Sequence, residues 1–257
     1  MPDPHPGPPT GAAPGPPPGA GSPRPGAAPT DRDEIEATSP LASLGVLAVQ
    51  SKTVFDGFDH VELFSPRGLL TLLWHGPRDA HDVVLLCGGA LGGLLGPADG
   101  LYHDLGVVFA QIGIGTIRIG YRRPNDLDAC LVDTIATAEL AARSGASRFV
   151  TVGHSFGGAV AINAAITLSS HAAGVVTLAT QSAGCERADL LGDTPLLLLH
   201  GDRDEILPPS SSQMVRMIAG TGELVIMPGA GHLFTQVDRE LRDRLVRWIP
   251  QRFVADP

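Results

Sequence analysis

The chain has 257 residues, 43% of them hydrophobic, which is enough for one substantial core and too little for two full-sized domains. Its formal net charge is -9, from 27 acidic against 18 basic residues, and no Lys/Arg cluster is longer than Arg122-Arg123. A nucleic-acid or anionic-membrane surface therefore has no electrostatic footprint, and a small-molecule partner is expected, with the protein a monomer or a homodimer.

Twelve of the 23 prolines fall within the first 30 residues, interleaved with Gly, Ala and Ser. Such a segment buries too little apolar surface to offset its ordering entropy, so residues 1–43 are expected to be a disordered tail and linker, with the folded domain at 44–257. A docking tract for a Pro-binding domain through Pro16-Pro17-Pro18 is the lesser alternative. The apolar run Leu41 to Val49 is short, is interrupted by Ser43 and Gly45, and follows Asp31, Asp33, Glu34 and Glu36. It suits neither a membrane span nor an export signal, and a cytoplasmic location is expected. The three cysteines, Cys87, Cys130 and Cys185, are widely spaced with no C-x-x-C pair, so reduced thiols and no metal are expected.

The first expected strands are Phe58 to Phe64 and Leu69 to His75, joined by the Pro/Gly turn Ser65-Pro66-Arg67-Gly68 as an antiparallel pair. Continuous apolar runs follow at Val83 to Leu86, Gly115 to Ile119, Phe149 to Val152, Gly174 to Leu178, Leu196 to Leu199 and Leu224 to Ile226. Runs of this kind fit strands covered on both faces. Between them, Tyr102 to Gln111, Leu127 to Arg143, Phe156 to Leu168, Ser211 to Ile218 and Arg239 to Phe253 have helical length. The alternation predicts an α/β fold, a mostly parallel central sheet with helices on both faces.

Three strand ends carry the chemistry. Gly153-His154-Ser155-Phe156-Gly157 follows an apolar run and precedes a helix, the pattern of a nucleophile elbow in which small flanking residues let a strained turn close under the serine. After Leu196 to Leu199 comes His200-Gly201-Asp202-Arg203-Asp204, with Asp204 the expected acid and Asp202 its rival. After Leu224 to Ile226 comes Pro228-Gly229-Ala230-Gly231-His232, with His232 the expected base. Serine, acid and histidine in that order at strand ends converge on one edge of a parallel sheet. There an imidazole takes the serine proton and a carboxylate fixes its tautomer, as acyl transfer requires. His154 reads as the variable residue of the elbow, His200 as a structural residue at a strand end, and His103 has no visible partner. Oxyanion donors are expected from the amides of Phe156 and Gly89, with Ala90 the alternative to Gly89. The run Gly88-Gly89-Ala90-Leu91-Gly92-Gly93 lacks the lysine and spacing of a phosphate-binding loop. Expected substrate contacts are Ala90, Leu91, Leu94, Leu95, Tyr121, Arg122, Gln181, Leu207 and Leu233, with Arg122 a possible grip on a substrate carboxylate or phosphate.

From about Phe58 to its end, the chain resembles the α/β-hydrolase superfamily through these motifs, and within it the small, lidless, dienelactone-hydrolase-like members. The resemblance implies an α/β-hydrolase catalytic domain without a large cap. Its sheet would have eight mostly parallel strands, the second antiparallel. It also implies Ser-His-Asp cleavage of an ester, thioester or related acyl bond through an acyl-enzyme, with no metal or organic cofactor. Two positions depart from the pattern. Cys87 stands where relatives often open the oxyanion loop with His-Gly, and Ser155 stands where dienelactone hydrolases carry cysteine, which points to a serine esterase. Acyl transfer with the same triad, or a non-catalytic binding protein on the same fold, remain the alternatives.

Overall fold

The computed structural model of the chain describes Met1 and residues 39–254. Of the expected Pro-rich tail and linker at 1–43, residues 2–38 lie outside the described residues. Within the described residues, 39–43 precede the expected domain boundary at 44. Ser39 caps a short helix α1 (Pro40–Ser43), its hydroxyl accepting the Ala42 N–H at 3.0 Å, with Pro40 in the first turn where its missing N–H costs nothing. The Leu41 N–H donates to Glu139 at 2.9 Å, and Leu44 is buried in the core.

Among the described residues, nine strands form one sheet: β1 (Ala48–Phe55), β2 (Phe58–Ser65), β3 (Gly68–His75), β4 (Asp82–Cys87), β5 (Gly115–Gly120), β6 (Arg148–His154), β7 (Ala172–Leu178), β8 (Leu196–Gly201) and β9 (Glu223–Met227). Their order is β1-β2-β3-β5-β4-β6-β7-β8-β9. The run from β5 to β9 is parallel, whereas β1/β2, β2/β3 and β3/β5 pair antiparallel. The expected hairpin is β2–β3. Its turn closes through the Ser65 hydroxyl, which accepts the Arg67 N–H and donates to the Gly68 carbonyl, while Gly68 takes φ 125°. The eight-strand expectation needs one correction. β1 adds a ninth strand at the outer edge, exposed along its whole length. With neither face buried it has no apolar alternation, and Lys52 in it discourages further edge pairing.

Among the described residues, five longer helices cover the sheet. On one face lie α3 (Leu127–Ser144), α4 (Phe156–Leu168) and α5 (Ser210–Ala219), packed on alternate strand residues such as Leu85, Ile117, Val175 and Leu198. On the other lie α2 (Leu101–Ala110) and α6 (Asp238–Gln251), packed on the intervening residues Val84, Leu86, Val152, Val176 and Leu199. The period-two alternation of each strand therefore feeds two separate cores. Between β7 and β8 there is only a short 3-10 turn (Ala188–Leu191) and loop, so no cap domain is inserted there. Among the described residues, no helix is long and apolar enough to cross a membrane.

Several buried histidines fill these cores. Burial pushes the His75 imidazole down to about 3, helped by the nearby Arg118 and His103. It pushes His154 down to about 4 against the hydrogen bond to the His232 carbonyl, and it also lowers His200. His75 and His154 are neutral in the folded protein and take up a proton in the unfolded chain once the pH falls below about 6.5. Stability is therefore fully present above that pH and is lost on acidification, by up to about 1.4 kcal/mol per pH unit for each such histidine. Thermal melts from pH 7.5 downward should show Tm falling steadily below about pH 6.5. A flat Tm down to pH 5 would contradict this.

Candidate active site

The strand β6 passes into α4 through a single strained residue. Ser155 has φ 56° and ψ -120°; its N–H donates to the Leu178 carbonyl at 2.8 Å and its carbonyl accepts the Gly158 N–H at 3.0 Å. A Cβ on Gly153 would collide with the Gly157 carbonyl, and one on Gly157 with the carbonyls of Cys87 and Gly88. The two glycines thus let the turn close and let α4 approach the end of β4. Left-handed backbone at a non-glycine residue costs on the order of 1–3 kcal/mol, and here packing on every side holds it. The hydroxyl stands at the N-terminus of α4, whose first N–H has no intrahelical acceptor.

Asp204 lies in the loop after β8, its side chain fully buried. Its Oδ1 accepts the N–H groups of Ile206 and Leu207, each at 2.8 Å, and its Oδ2 accepts from His232 Nδ1 at 2.8 Å. Burial alone would raise this carboxyl, but the donors from Leu207, His232 and Ile206 outweigh it and hold it below the usual carboxylate range. Asp202 is not the partner of His232. It is exposed, and its Oδ1 accepts the Gly229 N–H at 2.6 Å, bracing the loop that carries the histidine. Gly201 matters for the same approach, because a Cβ there would run into the Ala230 carbonyl.

Two further histidines surround this pair. His200, fully buried, sits with Nε2 at 3.0 Å from the Leu207 carbonyl and 3.2 Å from Asp204 Oδ2, and with Nδ1 at 2.7 Å from the Ser212 hydroxyl. The network assigns the proton to Nε2, shared between those two oxygens, with Ser212 donating to Nδ1. His154 donates from Nε2 to the His232 carbonyl at 3.0 Å, and its ring lies 4.8 Å from that of His232. In the sequence His154 reads as the variable residue of the elbow and His200 as structural at a strand end; the one signal that could have tied His200 to the acid is its place four residues before Asp204.

Ser155 and His232 open onto one cavity of about 620 Å³, walled by the loop from Gly88 to Gly96, by His154, by Glu205 and Ile206, and by Leu233. No hydrogen bond joins the serine to the imidazole in this structure, and free sites of this kind commonly tighten only around substrate. Gly89 is beside the serine: a Cβ built on it would lie 3.9 Å from the Ser155 Cβ. Ala90 also lines the cavity but leans on the core behind it.

Of the expected substrate contacts, Ala90, Leu91, Leu94, Leu95 and Leu233 line this cavity, and Tyr121, Arg122, Gln181 and Leu207 do not. Tyr121 is buried in the core under α3. Gln181 turns its amide to the Ala183 carbonyl of its own loop. Leu207 serves through its backbone, between Asp204 and His200. Arg122 is committed to Asp133 on α3, by its guanidinium and its backbone N–H. Their side chains are 6% and 0% exposed, so this is a buried pair and not a grip on a substrate anion. Burial raises the Asp133 carboxyl even against those Arg122 contacts. Pocket residues missed from sequence include His154 in the elbow and Glu205 and Ile206, next to Asp204 in its loop. Arg122→Ala should leave Asp133 as an uncompensated buried charge and cost about 3–5 kcal/mol of stability in denaturant melts. An unchanged midpoint, with KM raised only for anionic esters, would restore the anion-binding role.

The cysteines are free and buried. Burial pushes the Cys87 thiol up to about 11, and its carbonyl accepts from the Tyr102 hydroxyl at 2.8 Å. The residue that departs from the usual oxyanion-loop opening is thus a packing residue beneath the loop.

A sheet in this order, with an elbow after β6, an acid after β8 and a histidine after β9, decides the fold. The chain has the α/β-hydrolase fold. Residues 128–242 match the phospholipase/carboxylesterase family model, a stretch that includes Ser155, Asp204 and His232. No curated protein matches the chain. Among solved structures of this hydrolase fold, Est1E from Butyrivibrio proteoclasticus is similar at 15% identity and a TM-score of 0.65, covering 76% of this chain and 98% of that one. An alpha-beta serine hydrolase homologue from Coxiella burnetii is similar at 22% identity and a TM-score of 0.61, covering 76% and 99%. Dienelactone hydrolase from Anabaena variabilis is similar at 18% identity and a TM-score of 0.59, covering 79% and 98%. At these identities the likeness is one of fold.

Proposed function

We propose that this α/β hydrolase is a serine esterase that cleaves a carboxylic ester or thioester through an acyl-enzyme on Ser155. The observation that carries the reading is the pairing of His232 Nδ1 with buried Asp204 at the wall of the cavity into which the elbow serine opens. With its proton held on Nδ1, the imidazole presents a lone pair at Nε2. As Ser155 Oγ attacks the substrate carbonyl, Nε2 takes the hydroxyl proton, and the oxyanion accepts from the N–H groups of Phe156 and Gly89. Collapse breaks the bond to the alcohol or thiol, which receives the proton from His232. Water then attacks the acyl-enzyme by the same route and frees the acid. The open mouth, where Leu91 is 98% exposed, favours water over a sequestered acceptor as the second nucleophile.

The test is hydrolysis of p-nitrophenyl esters from acetyl to long acyl chains. Turnover that depends on chain length is expected, because the cavity wall is largely aliphatic and glycine. No turnover across the series, together with no acyl-enzyme, would remove the esterase reading.

A further inference from the structure

Among the described residues, one charged side chain lines the cavity, and it is acidic. Glu205 follows the expected acid of the triad and leans over the histidine loop, its Oε2 accepting the His232 N–H at 3.4 Å. Gly231 makes room for it: a Cβ there would lie 2.9 Å from Oε2. Among the described residues, Glu205 takes part in no ion pair, while the neighbouring Asp204 is flanked by two histidines. Among the described residues no arginine or lysine lines the cavity: Arg203, two residues before Glu205, is exposed outside it. Arg122 is buried against Asp133, and Arg118 reaches the glycine loop from beneath, donating to the Leu94 carbonyl, without lining the cavity. Around the carboxylate the mouth is aliphatic: Leu91, Leu95, Ile206 and Leu233 are all more than half exposed.

We infer that Glu205 sets substrate charge at this site, admitting neutral apolar and cationic acyl esters and turning away those that carry a carboxylate or phosphate near the scissile bond. The inference rests on the esterase reading above. An anionic substituent entering this cavity meets an unpaired carboxylate and no guanidinium or ammonium to replace its hydration, so its approach is opposed by both repulsion and desolvation. A quaternary ammonium meets an opposite charge set among aliphatic side chains, which suits a large, weakly hydrated cation. The preference separates the two activities in the matched family description: a phosphodiester headgroup has no counter-charge here, whereas an uncharged carboxylic ester needs none.

The experiment compares three p-nitrophenyl esters of similar length, the neutral butyrate, the anionic hemisuccinate and a cationic trimethylammonio-butyrate, in the full chain and in Glu205→Gln. Glutamine keeps an oxygen acceptor for the His232 N–H and removes the charge. In the wild type, kcat/KM for the anion should fall about tenfold below the neutral ester, with the cation at or above it. In the variant the anion-to-neutral ratio should rise about fivefold and the cation-to-neutral ratio should fall, and added salt should narrow both ratios in the wild type only. A purely structural role for Glu205 would move all three esters together, so unchanged ratios would overturn the inference while leaving the esterase reading standing. A wild-type preference for the hemisuccinate would also overturn it. Absence of turnover on all three, with no acylation of Ser155, would overturn both.

Discussion

Ser155→Ala is expected to reduce kcat for p-nitrophenyl butyrate by about 10⁴-fold or more with little change in Tm. The size follows from what the residue does in the proposed chemistry: without Oγ no covalent acyl-enzyme forms, and only binding and the two amide donors remain. The small stability effect follows from its place. The side chain is only partly buried, the N–H bond to Leu178 and the carbonyl bond to Gly158 are backbone contacts that alanine keeps, and the strained φ of 56° is imposed by the glycines around it. Steady-state rates on purified protein matched by circular dichroism check this. Retention of more than a tenth of wild-type activity would assign the chemistry to another group.

Asp204→Asn should cost about 10⁴-fold in kcat, and for a reason visible in the loop. The Oδ1 position accepts two backbone N–H groups, from Ile206 and Leu207, and an amide oxygen satisfies them as the carboxylate does. The amide nitrogen is then left facing His232 Nδ1 and His200 Nε2. Facing a donor, His232 must carry its proton on Nε2, so the nitrogen aimed at the serine has no lone pair to accept the proton. His200 loses one of its two acceptors and keeps the Leu207 carbonyl. Asp202→Asn should change kcat less than about tenfold, since Asp202 acts on the loop through the Gly229 N–H. The reverse ranking of the two variants would make Asp202 the acid.

How far these features were legible in sequence depended on whether the backbone or a distant side chain decides them. The elbow, the acid loop and the histidine loop each follow an apolar strand, and topology alone brings parallel strand ends to one edge. The place of Gly89 beside Ser155 was legible for the same reason, as a residue just past β4. Arg122 also follows a strand, β5, but whether it turns to the cavity depends on Asp133, a residue eleven positions away on α3. Gln181 is likewise turned by its own loop. The edge strand β1 was not visible because a strand exposed on both sides has no apolar period to detect. The short helix Pro40–Ser43, in contrast, was written in Ser39-Pro40, a capping residue followed by a helix-opening proline.

The most direct test of the central claim is covalent capture of the nucleophile. A fluorophosphonate probe incubated with the full chain should add one adduct by intact mass, and peptide mapping should locate it on Ser155, with none on Ser155→Ala and slow labelling of Asp204→Asn. An adduct on any other residue, or no adduct in a protein shown to be folded, would contradict a serine hydrolase mechanism at this site.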